Sequence, residues 1–162
     1  MYMPFEEMPD TARVWVYQSN RKFTPEDLDY ITEKLTAFCK VWNTHGNLMP
    51  TSFDLPYGQF IVLAVDEAPL GASGCSIDSS VKVLKEIESE LGLDLLDHGK
   101  VSFVNEGEVV NSKLPEVKNH IESGNLKEET PVFNPVVNRK VDLSEKWLIP
   151  AGDSWLKRYF IN

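Results

Sequence analysis

The chain has 162 residues, of which 42% are apolar and 25% charged, a composition typical of a globular protein with one core or a core and a small appendage. Its formal net charge of −9 repels phosphate backbones, so we expect no nucleic-acid partner. No apolar run approaches the roughly 18 residues that span a membrane, and the first residues lack the basic start and apolar core of a signal peptide. We therefore expect a cytoplasmic protein with no membrane partner.

Two strands and one helix are predicted before residue 56. Residues Arg13–Gln18 combine β-branched and aromatic side chains, which predicts the first strand. Thr24 is a typical N-cap, Pro25 suits the first helical position, and acidic residues follow, so we predict a helix over residues 25–44. Polar and apolar residues alternate over Thr51–Leu55, as they do in an edge strand.

The centre of the chain joins its most apolar run to a second helix. The run is Phe60–Asp66, and its β-branched residues predict a strand that is buried on both faces. A stretch rich in glycine and serine, Gly71–Ser80, leads from this strand into the helix. Apolar residues with helical spacing are Ile77, Val81, Leu84, Ile87 and Leu91. They predict a helix over residues 77–91.

Lys100–Val104 is a fourth candidate strand and completes the order β-α-β-β-α-β. This order predicts an α+β fold, with a ferredoxin-like sandwich over residues 1–104 and both helices on one face of a four-stranded antiparallel sheet. The alternative is another layering of α+β elements. Ferredoxin-like proteins commonly pair through the open face of the sheet, so a homodimer is an expectation by fold analogy.

Residues 105–162 are predicted to form an appendage that packs on the body. Leu114–Gly124 predicts a short helix, and Thr130–Pro135 is an extended segment interrupted by prolines. Asp142 and Asp153 are candidate caps of two further short helices. The aromatic residues of this part include Trp147, Trp155, Tyr159 and Phe160. We expect them to cover the body or a second subunit, because they would otherwise form an exposed apolar patch.

Several segments together resemble a known family. They are Val14–Arg21, Trp42–Gly46, Val65–Glu67, Ser73–Asp78, and Thr130–Asn134 with Ser154-Trp155. Most of the chain is similar to a family of uncharacterised bacterial proteins of about this length, often labelled "ABC transporter ATPase". That label implies the motif G-x-x-x-x-G-K-[ST], which holds the phosphates of ATP. The only Gly-Lys pair is Gly99-Lys100, which lacks the earlier glycine and is followed by Val101, so we exclude ATPase activity.

The tail also resembles the second half of a GYF-type peptide-binding module. The residues that carry this resemblance are a helix ending at Gly124, then Leu126, Thr130, Val132, Phe133 and Trp147. Asn111-Ser112-Lys113 stands where the module has Gly-Pro, so the chain departs from the module at the aromatic peptide-binding surface. The resemblance therefore implies a helix packed on a strand, and not by itself a peptide site.

Cys75 is the candidate nucleophile. A helix N-terminus lowers a thiol pKa from about 8.5 into the range of roughly 3.5 to 7.5. In the ferredoxin-like topology, His45, Asp66 and Asp78 reach the same rim as Cys75, where they would act as base and orienting carboxylates. The alternative is structural: Cys75 is a small buried residue at a turn, His45 complements a helix C-terminus, and Asp78 is a first-turn acid.

The same rim is a candidate anion pocket. Backbone N–H groups of Ser73, Gly74, Cys75 and Ser76, with the two serine hydroxyls, would hold a small anion at the start of the helix. Arg21 is predicted at the opposite rim and would not assist.

Metal sites, disulfides and cofactors are not predicted. Cys39 and Cys75 form no ligand pair, and the histidines His45, His98 and His120 show no ligand spacing. We expect Cys39 to lie on the buried side of its helix. The sequence therefore predicts a binding or interaction module for a small anionic ligand or a protein partner, with a cysteine-dependent enzyme as the alternative.

Overall fold

A computed structural model describes residues 1–44, 47–67 and 74–161, and it describes only the backbone of residues 44, 47 and 74–76. Helices and antiparallel sheets make the fold α+β, as predicted. The chain divides into two compact units. The first comprises Met1–Leu96 with Asn138–Val141, and the second comprises Asp97–Val137 with Asp142–Asn162.

The helices and strands are as follows, in chain order. They are β1 (Arg13–Gln18), α1 (Pro25–Val41), β2 (Asn43–Thr44), β3 (Asn47–Leu48), β4 (Thr51–Asp54), β5 (Phe60–Val65), α2 (Gly74–Leu91), β6 (Lys100–Asn105), β7 (Glu108–Lys113), α3 (Val117–Glu122), β8 (Pro131–Phe133), α4 (Lys140–Glu145) and β9 (Leu148–Pro150). Short 3₁₀ turns, Ala151–Asp153 and Trp155–Tyr159, stand where a last helix was predicted.

The first unit is built on an antiparallel sheet with the order β1-β5-β4 within the described residues. β1 and β5 pair from Arg13 opposite Val65 to Gln18 opposite Phe60. Thr51 of β4 also lies opposite Val65, on the other side of β5. The adjacency and antiparallel direction predicted for the strands at residues 13–18 and 60–66 are therefore confirmed.

α1 begins at Thr24, where the sequence predicts an N-cap. The Thr24 hydroxyl accepts a hydrogen bond from the Asp27 N–H at 3.1 Å, and Asp27 Oδ2 accepts one from the Thr24 N–H at 2.9 Å. This reciprocal capping box satisfies donors that the start of a helix leaves unpaired. α1 ends at Val41 and not at residue 44, because Asn43–Thr44 pairs with Asn47–Leu48 as a small two-stranded sheet.

Both helices pack on one face of the β1-β5-β4 sheet. Residues two apart on a strand share a face, and the odd-numbered residues of β5 face the helices. The buried cluster includes Ile61, Leu63 and Val65 of β5, Ile31 and Leu35 of α1, and Leu84 and Ile87 of α2. The Tyr17 hydroxyl of β1 lies close to the Ser80 side chain of α2, and Thr51 Oγ1 of β4 donates to the Cys39 carbonyl of α1 at 2.7 Å. α2 therefore lies over β1, and α1 lies over β4.

The four-stranded ferredoxin-like sheet is not confirmed, because the predicted fourth strand pairs elsewhere. β6 forms a hairpin with β7 and also pairs with β8. Glu106 and Gly107, with φ values of 53° and 78°, make the two-residue turn of this hairpin, and local pairing satisfies the hydrogen bonds of β6. The edge of β1 instead pairs with a short segment of the tail: the Val14 N–H donates to the Asn138 carbonyl at 3.0 Å, and the Lys140 N–H donates to the Ala12 carbonyl at 2.9 Å.

The second unit has its own sheet, with the order β7-β6-β8-β9, and its own core. The core consists of Val101, Phe103, Val117, Leu126, Val132, Ala151 and Leu156. Tyr159 and Phe160 pack against this core, and Trp147 is buried with its ring 4.9 Å from that of Phe133. Trp155 is 38% exposed. Tyr159, Phe160 and Trp147 thus find partners within the second unit.

Candidate functional site

The candidate site lies at the end of the first unit where β1 begins and β5 ends. Arg13 and Val65 face each other at this end. The C-terminus of α2 is at the opposite end, because Arg21 Nη2 donates to the Leu91 carbonyl there at 3.0 Å. A helix of this length spans about 27 Å, so the N-terminus of α2 points toward the end that carries Arg13. The predicted placement of Arg21 away from the start of α2 is consistent with this geometry.

The predicted site residues are only partly described. Gly74, Cys75 and Ser76 form the first turn of α2, so this helix starts three residues earlier than predicted, and their side chains lie outside the description. His45 and Ser73 lie outside the described residues.

Two predicted carboxylates are described. Asp66 directly follows β5, and its N–H donates to the Pro50 carbonyl at 3.0 Å. Asp78 is exposed on α2, one turn beyond Gly74.

Two arginines and one glutamate form an ion cluster at this end of the sheet. Arg13 Nη1 lies 3.2 Å from Glu67 Oε1, and Arg139 Nη1 lies 3.8 Å from Glu67 Oε2. Arg13 and Arg139 stand directly opposite each other in an isolated antiparallel bridge. One carboxylate thus bridges two guanidinium groups, one oxygen to each.

The ion cluster lies on the face of the sheet that carries the helices. Arg13 shares its face with Tyr17, four residues along β1, and Tyr17 reaches Ser80. Moving from Tyr17 to Arg13 covers about 13 Å along the strand, and moving from Ser80 to Gly74 covers about 9 Å along the helix in the same direction. The first turn of α2 and the arginine pair therefore occupy the same face and the same end of the first unit.

The two arginines of the cluster carry like charges and are partly exposed. Like charges directly opposite on neighbouring strands repel, and Glu67 lies against both guanidinium groups, while Arg139 Nη1 also donates to the Thr11 carbonyl at 3.3 Å. The side chains of Arg13 and Arg139 are 39% and 48% exposed, whereas that of Glu67 is 22% exposed. Within the described part of the chain, the Arg13 guanidinium hydrogen-bonds only to Glu67, through one of its five N–H donors.

The Arg13 side chain is held in place by a neighbouring aromatic ring. Its guanidinium carbon lies 4.9 Å from the centre of the Trp15 ring. Trp15 is itself fixed by Trp42, with ring centres 6.0 Å apart. A cation over the face of an indole ring gains electrostatic attraction without losing its hydrogen-bond donors. Arg13 is therefore oriented before any ligand binds.

The polar cluster at the opposite end of the unit is structural. Arg21 Nη1 lies 2.6 Å from Asp27 Oδ2, and the same oxygen accepts from the Thr24 N–H. Burial of the Asp27 carboxyl would raise its pKa, but the hydrogen bonds from Arg21 and Thr24 outweigh burial and hold the pKa below its usual value. These groups stabilise the start of α1, and the charges of Arg21 and Asp27 are paired with each other.

Cys39 is buried, as predicted. Its residue is 0% exposed, and burial raises the pKa of the thiol to about 11. A thiol with this pKa is protonated at neutral pH and is a poor nucleophile.

A serine, a glutamate and a histidine meet in the second unit, an arrangement that sequence reasoning missed. Ser112 Oγ donates to Glu116 Oε2 at 3.1 Å and lies 3.1 Å from His120 Nε2. In a catalytic triad the carboxylate orients the histidine, whereas here both groups contact the serine. Ser112 is only 4% exposed, so a substrate could not reach its hydroxyl. The cluster links α3 to β7, and the buried Ser112 hydroxyl is not placed to act as a nucleophile.

Comparisons with protein-family models, curated proteins and solved structures give no match. No group of three potential metal ligands occurs among residues 1–44, 47–67 and 74–161. Over the same ranges, no helix has both the length and the apolarity to cross a bilayer.

Proposed function

We propose that this protein is a binding module for a small anionic ligand, which it holds at the end of the first unit with Arg13 and Arg139. The observation that carries the proposal is that two guanidinium groups contact a single carboxylate. The N-terminus of α2 points toward the same end of the first unit. Sequence reasoning predicted an anion at the start of α2. The arginine pair supplies the positive charge that this prediction lacked.

The chemistry of the side chains suits an oxyanion. Guanidinium groups present planar forks of N–H donors that match carboxylate and phosphate oxygens. The N–H groups in the first turn of a helix and the helix dipole attract negative charge to the same region. In a chain with a net charge of −9, two arginines directly opposite each other are positive groups that attract an anion.

The test is a titration with phosphate, measured by isothermal calorimetry at constant ionic strength. The wild-type chain is expected to bind phosphate, and Arg13→Gln and Arg139→Gln should each weaken binding about tenfold, since each removes one charged hydrogen bond. Arg158→Gln is the matched control. Arg158 also rests against an aromatic ring, 5.0 Å from the centre of Tyr159, but lies in the second unit. Equal binding by all four proteins would contradict the proposal.

A cysteine-dependent enzyme is the second candidate, because Cys75 lies in the first turn of α2. This position would stabilise a thiolate, and His45 is the proposed base. Iodoacetamide labelling over a pH series should then modify Cys75 with a midpoint well below about 8.5, and His45→Ala should move that midpoint. If Cys75 reacts only after denaturation, the thiol is structural and the enzyme proposal fails.

A further inference from the structure

We infer that the segment Asn138–Val141, here called the strap, is an exchangeable strand and that a second copy of this chain supplies it to form a strand-exchanged homodimer. By its contacts the strap belongs to the first unit, whereas the residues on both sides of it, up to Val137 and from Asp142, belong to the second. The chain thus leaves the first unit after Leu96 and returns only for the strap. This inference goes beyond the proposed anion site and does not depend on it.

The strap extends the β1-β5-β4 sheet at the edge of β1. The Val14 N–H donates to the Asn138 carbonyl at 3.0 Å. The Lys140 N–H donates to the Ala12 carbonyl at 2.9 Å. These are backbone hydrogen bonds, and a second copy carries the same strap and the same edge. An exchanged strap would therefore make the same bonds.

The Lys140 side chain fastens the strap to the first residues of the chain. Its ammonium group donates to the carbonyls of Phe5 and Met8 at 2.9 Å and 2.7 Å. The same group lies 5.2 Å from the centre of the Phe5 ring, within the range of a cation–π contact. All of these partners are in the first unit, so the lysine of another copy finds them unchanged.

The strap has the properties of a segment that opens without unfolding of the core. None of its four residues is buried, whereas β5 is buried along its whole length. Segments that bury little apolar surface open at a lower free energy than core strands do. The residues where the chain first passes from one unit to the other, Asp97, His98 and Gly99, are exposed. They provide a hinge at which the chain can redirect the strap to a second copy.

Protein concentration decides which form is populated, because the contacts of the strap are the same in both. A strap tethered to its own first unit has an effective concentration on the order of 1 mM, so exchange becomes measurable as the protein approaches that concentration. Lys140→Met weakens the hold on the strap equally in both forms. It should therefore speed exchange about tenfold and leave the fraction of dimer at equilibrium unchanged.

The experiment mixes two full-length chains that each carry one cysteine of an opposed pair. Arg13 and Arg139 lie directly opposite each other, at a spacing that suits a disulfide between antiparallel strands. One chain carries Arg13→Cys and the other Arg139→Cys. Both carry Cys75→Ser, and Cys39 is buried. The mixture is incubated under reducing conditions at about 1 mM and at about 0.01 mM, on either side of the effective concentration, and then oxidised. Mass spectrometry of a digest identifies the joined peptides.

Two controls separate exchange from collision. A single chain with both Arg13→Cys and Arg139→Cys should form an intrachain disulfide at the lower concentration, because the strap then pairs with its own β1. The matched control mixes an Asn105→Cys chain with a Glu108→Cys chain. These residues also lie opposite each other, in the β6–β7 hairpin, but a two-residue turn joins them. They should not link separate chains.

Each outcome supports or overturns the inference. A disulfide between the two mixed chains that forms at the higher concentration, exceeds that of the hairpin pair and appears about tenfold faster with Lys140→Met would support exchange. If only the single chain with both cysteines is oxidised, the strap stays with its own copy and the inference is wrong. Equal linking of the hairpin pair would mean random collision. A single chain that forms no intrachain disulfide would refute the pairing of the strap with β1, and exchange with it.

Light scattering of the wild-type chain is a second measurement that needs no cysteine. The mass should rise from that of a monomer toward that of a dimer between about 0.01 mM and about 1 mM. A wild-type chain that stays monomeric over this range would contradict the strand-exchanged dimer.

Discussion

Replacing Asp27 by asparagine tests how the first unit is held together at the start of α1. The Asp27 carboxylate accepts hydrogen bonds from Arg21 at 2.6 Å and from the Thr24 N–H at 2.9 Å, and its side chain is only 7% exposed. Asparagine keeps an acceptor oxygen for Thr24 but loses the charge. It should therefore weaken the cap and abolish the ion pair without leaving a cavity.

The expected loss is about 1 to 1.5 kcal/mol in the free energy of unfolding. A hydrogen bond to a charged group contributes about 1.5 to 3 kcal/mol, but the Arg21 side chain is 40% exposed and water screens its charge, so the loss should lie at or just below the lower end of that range. Asp27→Ala should cost about 2 kcal/mol, because the Thr24 N–H also loses its acceptor. Urea denaturation at pH 7 measures both values.

The pH dependence of the difference follows from the lowered pKa of Asp27 in the folded state. The stabilisation is fully present above the pKa of the unfolded chain, near 3.9, and is lost as pH falls through the lower folded-state value. The difference in free energy of unfolding between wild type and Asp27→Asn should stay constant from about pH 7 to pH 5 and become smaller below about pH 4.

Glu26→Gln is the control, because Glu26 is in the same helical turn but is exposed. It should change stability by less than about 0.5 kcal/mol. An Asp27→Asn variant as stable as Glu26→Gln at pH 7 would refute the account of the cap.

Three further predictions concern other parts of the structure. Lys140→Met should lower the free energy of unfolding by about 1 to 2 kcal/mol in urea titrations, because Lys140 Nζ donates to the Phe5 and Met8 carbonyls at 2.9 Å and 2.7 Å. An unchanged midpoint would mean that water replaces the ammonium group without loss. Glu106→Asn should raise stability by about 0.5 kcal/mol, since asparagine tolerates positive φ better than glutamate does. A lower melting temperature would show that the hairpin turn is not strained at Glu106. Cys39 should resist iodoacetamide in the folded protein at pH 8 and react after denaturation, because burial raises its pKa to about 11. Labelling of Cys39 under native conditions would show that its helix opens readily.

Local sequence signals predicted the first unit well. The Thr24 cap and the apolar spacing of the helices fix α1 and α2, because capping and burial act within a few residues of the chain. The run Phe60–Val65 is buried along its whole length, as its composition predicts. These elements needed no information about distant residues.

The second sheet was harder to predict because its pairings depend on distant segments and on one short turn. Glu106-Gly107 lies between two runs that contain valine, which is typical of a hairpin turn. The predicted domain boundary at residue 104 separated β6 from β7, so this hairpin was not predicted. β8 and β9 have three residues each and carry little periodicity. Their pairing is set by the packing of the second unit's core and not by local preference.

The arginine pair could not be predicted from spacing. Arg13 and Arg139 lie at opposite ends of the sequence and meet only because Asn138–Lys140 pairs with the edge of β1. In the predicted ferredoxin-like topology, the strand at residues 100–104 would pair with that edge. Because one strand was assigned to the wrong sheet, the proximity of the two arginines in the proposed anion site was not predicted.

The central claim is most directly tested by following the arginine side chains during a phosphate titration by nuclear magnetic resonance. We predict that the Nε–Hε signals of Arg13 and Arg139 shift together, with one dissociation constant, while the signal of Arg21 at the opposite end of the first unit stays fixed. Signals of Arg13 and Arg139 that do not move, or that move no more than that of Arg21, would contradict the proposed anion site.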